Sequence, residues 1–509
     1  MKLQLVFLVL LFQFNNLLSQ TSLQEIDLDY GRYTIGFKHY TATDSTRTYI
    51  PKITVNHKEV LRPIPISIWY PSTTSILSKS PMSVLNYMEV LKEEEEWESL
   101  PNYFILDWFY YANTPQNQQH LKETAQAYID IPIAKESFPV IIYAPSFQAS
   151  SIENFAICEQ LASHGYIVIS SPSRGASSKR FQKPERAIET QARDLEFLIK
   201  EVSRFPSSDM NRVATMGFSF GGLSNVLTQM RTTIFKANLS LDGTIRYNPD
   251  LLKSTAFYDP KKITIPFMHL AQKEIPQAVM QQENISATLN TDFEFYDALT
   301  HCDAYKMRFH DMSHSYFSTL GVLFEKRDLR QDKSDQKIMA SYKLVSTYSL
   351  QFMNAYLKDD ATALQFITNT PQENNISSDL ISKESKTATV QKAFDFYDFV
   401  HQAKLQNYKN VKTFYKQIKK THPTLELPEG RLNTLGLQLI FNPKNVQAGI
   451  SIFELALQLY PTSANLYDSL AEGYLYIGDT KNAIYNFEKS LSLNPDNQNA
   501  TKRLKELNP

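Results

Sequence analysis

Short apolar runs alternate with amphipathic stretches through most of the chain. The run at 140–144 is continuous, as expected of a parallel strand buried on both faces, whereas 187–202 repeats its apolar positions with a helical period. Predicted strands occupy 33–37, 64–71, 140–144, 166–172, 212–218, 236–243, 265–270 and 306–310, and predicted helices occupy 153–164, 187–202, 225–231 and 338–358. This alternation predicts an α/β fold with a mainly parallel sheet covered by helices on both faces.

Residues 80–130 interrupt this alternation and predict a helical insert. We interpret the acidic run at 92–98 as a solvated helix face. The aromatic run at 103–111 has two open interpretations: it lines the entrance to a substrate site, or it buries the insert against the core. The first interpretation makes the insert a lid, and the second makes it structural.

Strand patterns stop where the last third of the chain begins. The helix at 338–358 is expected to close a domain that spans 21–358. Residues 359–388 are polar and typical of a linker. The pattern from 389 to 509 is helical throughout, so the sequence predicts a separate all-α C-terminal region.

The C-terminal region contains an internal repeat. Phe453 and Pro461 recur 34 residues later as Phe487 and Pro495, and 34 residues is the tetratricopeptide period. The segment 467–495 resembles one complete repeat of that family, preceded by a weaker copy. Tetratricopeptide-like helices predict a surface for a protein or peptide partner.

The N-terminus predicts a signal peptide over residues 1–20. Lys2 precedes an apolar run at 3–12, and Ser19 lies near the expected cleavage point. The run is too short to span a bilayer, although a retained anchor is the alternative interpretation. The sequence therefore predicts an exported protein, periplasmic or secreted.

The composition limits the kinds of molecule that the protein is expected to bind. The net charge of −1 over 509 residues gives no overall field that favours nucleic acid or an anionic membrane surface. Beyond the signal run, no apolar stretch reaches transmembrane length. Cys158 and Cys302 are the two cysteines; they either pair or, in the interpretation we favour, remain free and buried. No cysteine or histidine spacing is typical of a metal site, so neither a metal nor a cofactor is predicted.

The sequence around Ser219 carries the strongest chemical signal. Residues 212–222 read Arg-Val-Ala-Thr-Met-Gly-Phe-Ser-Phe-Gly-Gly, a strand pattern that leads into Gly-x-Ser-x-Gly and a helix. That order is the nucleophile elbow of an α/β-hydrolase. Gly217 and Gly221 flank the serine because a Cβ at either position would crowd the turn.

A serine nucleophile needs a base to accept its proton and an acid to orient that base. In α/β-hydrolases these follow in the order serine, acid, histidine. Asp242 ends the first strand after the elbow helix, and His314 lies in the loop after the last strand. The alternatives are His310 and His301 for the base, and Asp292 and Asp303 for the acid. The predicted oxyanion-hole donors are the backbone amides of Phe147 and Phe220.

Several motifs resemble the platelet-activating-factor acetylhydrolase and dienelactone hydrolase group over residues 60–320. The motifs are PISIWYP at 65–71, FPVIIYAPSFQASS at 138–151, GFSFGG at 217–222, Leu241-Asp242, and His314 with Phe317. The resemblance implies an α/β-hydrolase fold, with Ser219 as nucleophile, Asp242 as acid, His314 as base and Phe147 as oxyanion donor. It also implies hydrolysis of esters with short or modified acyl groups, without a metal.

Two features depart from that family. Pro145-Ser146 stands where the family usually has His-Gly before the oxyanion donor, and the insert at 80–130 is longer than in a minimal member. The sequence thus predicts an exported serine hydrolase acting on a small-molecule carboxylic ester. The alternatives are an amidase or peptidase with the same residues, or a catalytically silent module that binds a partner through its repeats.

Overall fold

A computed structural model describes residues 21–51, 58–74, 79–181, 183–284, 286–390 and 394–507. The chain divides into two compact units, one ending at Val390 and one beginning at Gln391. The predicted signal peptide lies outside the described residues. Within those residues, no helix combines the length and apolarity needed to cross a membrane.

The first unit is built on one sheet, which contains ten strands among the described residues. The strands are β1 (Thr34–Tyr49), β2 (Val60–Ser72), β3 (Ala127–Ile129), β4 (Phe138–Ala144), β5 (Ile167–Ser170), β6 (Ser208–Phe218), β7 (Phe235–Leu241), β8 (Phe267–Ala271), β9 (Ala304–Phe309) and β10 (Ile381–Lys386). Their order is β10-β9-β8-β7-β6-β4-β5-β2-β1-β3. The six strands β4 to β9 run parallel, and β2 and β10 flank them antiparallel. The predicted mainly parallel sheet is confirmed.

Helices cover both faces of this sheet. They are α1 (Leu23–Ile26), α2 (Val84–Glu94), α3 (Ile105–Trp108), α4 (Pro115–His120), α5 (Phe155–Ser163), α6 (Pro184–Val202), α7 (Phe220–Arg231), α8 (Pro249–Lys253), α9 (Gln277–Glu283), α10 (Glu294–Ala298), α11 (Thr319–Phe324), α12 (Asp335–Leu357) and α13 (Ala361–Thr368). Four short 3₁₀ helices add Asn102–Phe104, Pro260–Lys262, Ala287–Asn290 and His314–Phe317.

The continuous apolar runs are explained by burial on both faces. All seven residues of β4 are buried. Ile141 packs in the core cluster that contains residues of α5 and α12, and its neighbour Ile142 packs in the cluster that contains residues of α6. Full burial of each such side chain contributes roughly 1.5–3 kcal/mol. A polar residue on either face would therefore be costly, which is why no polar alternation appears.

The predicted linker at 359–388 is wrong, because the whole segment belongs to the first unit. Residues 361–368 form α13, and 381–386 form β10, an edge strand that pairs with β9. Ile367 and Ile381 are fully buried. The segment is polar in sequence because an edge strand and a surface helix expose most of their side chains, so it resembled a linker. The first unit extends to Val390 and not to residue 358.

The insert is anchored to the sheet unit, and its acidic run is only partly a solvated face. Glu94, in that run, is 1% exposed and accepts hydrogen bonds from the hydroxyls of Ser150 and Ser151. Tyr87 of α2 donates to buried Glu159 of α5 at 2.8 Å. These contacts give Glu94 a structural role that the charge pattern did not predict.

The second unit is all-helical among its described residues. Its helices are α14 (Phe396–Leu405), α15 (Val411–Thr421), α16 (Glu429–Ile440), α17 (Val446–Leu459), α18 (Ala464–Tyr476), α19 (Thr480–Leu493) and α20 (Gln498–Leu507). The starts of α17 and α19 are 34 residues apart, as are those of α18 and α20. The all-α prediction is confirmed, whereas membership of the tetratricopeptide family stays a prediction. Both cysteines are free and buried in the first unit.

Candidate active site

Ser219 lies on the sharp turn between β6 and α7. Its backbone has φ 53° and ψ −119°, a conformation that is strained for a residue with a side chain. A Cβ at Gly221 would lie 2.0 Å from the carbonyl oxygen of Ala144, and one at Gly217 would lie 2.6 Å from backbone atoms of Gly221. The two glycines are therefore required by close backbone approach, as predicted from the sequence.

Three side chains from separate loops form a hydrogen-bonded chain at the carboxyl end of the sheet. The Nε2 atom of His314 lies 2.9 Å from the Oγ of Ser219. Its Nδ1 atom lies 2.5 Å from Oδ2 of Asp242. Ser219 follows β6, Asp242 follows β7, and His314 lies in the segment after β9, so the parallel strands bring them to one edge. This arrangement can transfer a proton from a serine hydroxyl to an imidazole held by a carboxylate.

Asp242 and His314 each shift the pKa of the other in the direction that favours its charged form. Burial by itself lowers the pKa of His314, but the hydrogen bond and charge of Asp242, with the charge of Glu153, raise it above its ordinary value. Burial would raise the pKa of Asp242, yet the bonds from His314 and Tyr247 keep it below its ordinary value. Asp242 therefore stays ionised, and the imidazole is a stronger base than a free histidine.

The alternative acids and bases make other contacts. His301 contacts Thr300 at 2.9 Å, Asp292 contacts Thr291 at 3.0 Å, and Asp303 accepts from the Ala388 amide at 3.0 Å. The amide of His310 donates to Leu380 of the chain before β10. Among the described residues, the structure brings only Asp242 and His314 of these six into contact with one another.

The two predicted oxyanion donors lie on either side of the nucleophile turn. Phe220 is the first residue of α7, and Phe147 lies in the loop after β4. Their rings meet edge to face with centroids 5.4 Å apart, and Phe181 packs against both. The first amide of a helix is free of intrahelical bonds and points along the positive end of the helix dipole. The rings of Phe147, Phe181 and Phe220 thus form an aromatic cluster next to the nucleophile turn, and the oxyanion role of the two amides stays a prediction.

Glu153 is a site residue that sequence reasoning missed. Its carboxylate accepts the amide of Ser146 at 2.8 Å and the hydroxyl of Ser146 at 2.6 Å. Burial raises the pKa of Glu153 to about 7, against the hydrogen bonds from Ser146 and the charge of His314. The sequence feature that pointed to this region was Pro145-Ser146, which replaces the usual His-Gly. Ser146 is the residue that Glu153 binds.

A cavity of about 520 Å³ opens beside this loop. The insert contributes aromatic lining residues, among them Trp97, Trp108 and Phe109, and Glu153 also lines the cavity. Ile105 and Leu106 of the aromatic run are fully buried against the core, whereas Trp108 and Phe109 line the cavity. That the run lines the entrance to a substrate site stays a prediction.

Arg174 is the notable cation of that cavity. Its side chain is 4% exposed, and its Nε and Nη2 atoms have no hydrogen-bond partner within the described part of the chain. Lys179, which also lines the cavity, pairs with Glu95.

No group of three His, Cys, Asp or Glu side chains in the described ranges could hold a metal ion.

Part of the chain matches the model of a hydrolase family. Residues 125–307 match the model of the dienelactone hydrolase family. The matched segment contains Ser219 and Asp242 and ends before His314. The match and the sheet order together confirm the predicted α/β-hydrolase fold.

Among solved structures, a ferulic acid esterase from Streptomyces cinnamoneus is similar, with 16% sequence identity and a TM-score of 0.48. The similarity covers 70% of this chain and 98% of that one. No curated protein matches the chain in sequence.

Proposed function

We propose that the protein is an exported serine hydrolase that cleaves carboxylic esters through an acyl-enzyme intermediate. Ser219 is the nucleophile, His314 the general base and Asp242 the residue that orients the imidazole. The observation that carries this proposal is the continuous hydrogen-bonded chain from the Oγ of Ser219 through both nitrogens of His314 to Asp242. The match to a hydrolase family over the segment that holds the elbow supports it.

The proposed reaction proceeds in two halves. In the first, Nε2 of His314 takes the proton of Ser219 while Oγ attacks the ester carbonyl, and the imidazolium then protonates the leaving alcohol. The amides of Phe147 and Phe220 stabilise the oxyanion, and each such donor contributes on the order of 10²–10³ in rate. In the second half, His314 activates water, which releases the acid and restores Ser219.

Ester hydrolysis is favoured over amide hydrolysis by the family match alone, so the substrate test separates them. Turnover of p-nitrophenyl acetate, butyrate and octanoate by the protein without residues 1–20 is compared with that of Ser219→Ala and His314→Ala. We expect each substitution to reduce kcat/KM by at least about 10³-fold. His310→Ala is the matched control and should retain activity, because its ring is not part of the hydrogen-bonded chain.

Other outcomes redirect the proposal. An inactive parent whose Ser219 still reacts with a fluorophosphonate probe would indicate an amidase or peptidase. A parent that neither turns over esters nor reacts with the probe would contradict the enzymatic function and leave the binding-module alternative. Equal losses in His310→Ala and His314→Ala would contradict the assignment of the base.

Export and a partner for the helical unit belong to the same proposal. Export rests on the apolar run at 3–12, and partner binding rests on the 34-residue spacing of helices in the second unit. Fractionation of cells that express the full chain tests export, which predicts recovery of the protein, shortened by about 20 residues, outside the cytoplasm. Recovery of the unshortened chain inside the cell would contradict it.

A further inference from the structure

We propose that Glu153 is a positioning residue for the oxyanion site, which holds the loop carrying the Phe147 amide and places a second negative charge near His314. The inference deepens the function proposed above and rests on it. The chain has Pro145-Ser146 where the family usually has His-Gly, and Glu153 binds this Ser146.

The geometry of the loop links Glu153 to the oxyanion donor. One oxygen of Glu153 accepts the amide of Ser146 and the other accepts its hydroxyl. The carbonyl of Ser146 accepts the amide of Ala149 at 3.2 Å. Because a trans peptide places its C=O and N–H on opposite sides, fixing that carbonyl also fixes the direction of the Phe147 N–H. Glu153 therefore controls the orientation of the oxyanion donor through Ser146.

Glu153 is also connected to the segment that carries His314. The backbone carbonyl of Glu153 accepts the amide of Leu320 at 3.2 Å, and Leu320 lies just beyond the 3₁₀ helix that begins at His314. The same residue thus joins the oxyanion loop by its side chain and the histidine segment by its backbone. A loop placed within a fraction of an ångström is what electrostatic stabilisation of an oxyanion requires.

Glu153 also acts on His314 through its charge. Glu153 is 9% exposed and faces three ionisable groups: His314, Tyr143 of β4 and Tyr111 of the insert. Burial raises the pKa of both tyrosines well beyond neutrality, so they remain uncharged. Because the pKa of Glu153 is about 7, its carboxyl group is mostly ionised at pH 8. Its negative charge then raises the pKa of His314 and favours the imidazolium formed during the reaction.

The experiment measures two properties that a merely structural residue would not change. One is the rate at which a fluorophosphonate probe labels Ser219 between pH 5 and 9. The other is the pKa of His314, followed by NMR of ¹³C-labelled histidine and assigned by the signal lost in His314→Gln. The variants are Glu153→Gln and Ser146→Ala in the full chain, with Glu488→Gln, an exposed glutamate of the second unit, as the matched control.

We expect Glu153→Gln to label about 10-fold to 100-fold more slowly at pH 8 and to lower the pKa of His314. Ser146→Ala should slow labelling without changing that pKa, because it removes a contact and no charge. Glu488→Gln should match the parent. Labelling at the parent rate in both Glu153→Gln and Ser146→Ala would overturn the positioning role, and an unchanged pKa of His314 in Glu153→Gln would overturn the electrostatic one.

Failure of the proposed function is distinguishable from failure of this inference. A parent whose Ser219 is not labelled at any pH overturns the proposed function and the positioning role with it, whereas the pKa of His314 still tests the charge of Glu153. If Glu153→Gln unfolds, as judged by its circular dichroism, Ser146→Ala decides the positioning role, because it keeps the buried carboxylate.

Discussion

Tyr247 donates its hydroxyl to Oδ1 of Asp242 at 2.5 Å, on the opposite side of the carboxylate from His314. The backbone amide of Gln272 donates to the same oxygen at 2.9 Å. Asp242 is fully buried, so these donors satisfy a charge that would otherwise be costly to keep away from water. The carboxylate is thereby held with Oδ2 toward the imidazole.

Tyr247→Phe should reduce esterase kcat/KM modestly, by about 3-fold to 10-fold, because a hydrogen bond to a charged group contributes about 1.5–3 kcal/mol and the remaining donors partly compensate. The measurement is p-nitrophenyl ester turnover at pH 8. Tyr258→Phe serves as the matched control, since that tyrosine packs in a separate cluster near α8. Equal losses in both variants would indicate a general effect on folding.

Asp242→Asn should have a far larger effect, a loss of about 10³–10⁴ in kcat, because the amide favours the wrong tautomer of His314. The substitution keeps the size of the side chain, so the melting temperature should change little in comparison. The check is turnover together with a thermal melt of each variant. Activity above one-tenth of the parent would contradict the role proposed for Asp242.

On the acid side, kcat/KM should fall at a pH above the ordinary pKa of histidine. His314 acts as a base only when neutral, and its raised pKa means that more alkaline solution is needed to deprotonate it. Activity is therefore lost as pH falls through the folded pKa of His314 and is fully present above it. We expect the midpoint of kcat/KM to lie above pH 6.5. A midpoint below that value would contradict the coupling to Asp242 and Glu153.

Truncation should reveal the position of the domain boundary. Residues 21–390 retain β10 and α13, whereas 21–358 lose both and leave the edge of β9 unpaired. We expect the longer fragment to be soluble and to melt cooperatively, and the shorter one to aggregate, because an unpaired buried edge invites association. Size-exclusion chromatography distinguishes them. Equal solubility and equal melting temperatures would support the linker predicted from the sequence.

In the second unit, two glycines of helices α16 and α17 should respond oppositely to alanine. A Cβ at Gly449 would lie 2.8 Å from the carbonyl oxygen of Gly436, whereas one at Gly430 meets nothing within 4 Å. Gly449→Ala should lower the free energy of unfolding by about 1–3 kcal/mol. Gly430→Ala should leave it unchanged or raise it by up to about 1 kcal/mol. Denaturant unfolding followed by circular dichroism checks both, and a stable Gly449→Ala would contradict the close helix packing.

Local sequence was sufficient where one short stretch specifies its own geometry. The turn at Ser219 needs glycine on both sides, and that requirement is visible in the sequence as Gly-x-Ser-x-Gly. The strands of the parallel sheet were also predictable, because burial on both faces leaves a continuous apolar run such as 140–144. The all-α character of the second unit followed from its helical period. These features were predictable because they depend on neighbouring residues in the chain and not on distant partners.

The tertiary structure decided the features that depend on distant partners. Six acids and histidines were available for two roles, and only folding placed Asp242 and His314, 72 residues apart, in contact. Glu94 and Glu153 are charged residues that no pattern in the sequence placed in the interior. Both are buried, and serines of the segment 146–151 donate hydrogen bonds to their carboxylates. β10 resembled a linker because its partner strand, β9, lies far from it in the chain. The periodicity of the sequence predicted most strands and helices, and chain order favoured Asp242 and His314, whereas burial and pairing of distant residues were visible only in the tertiary structure.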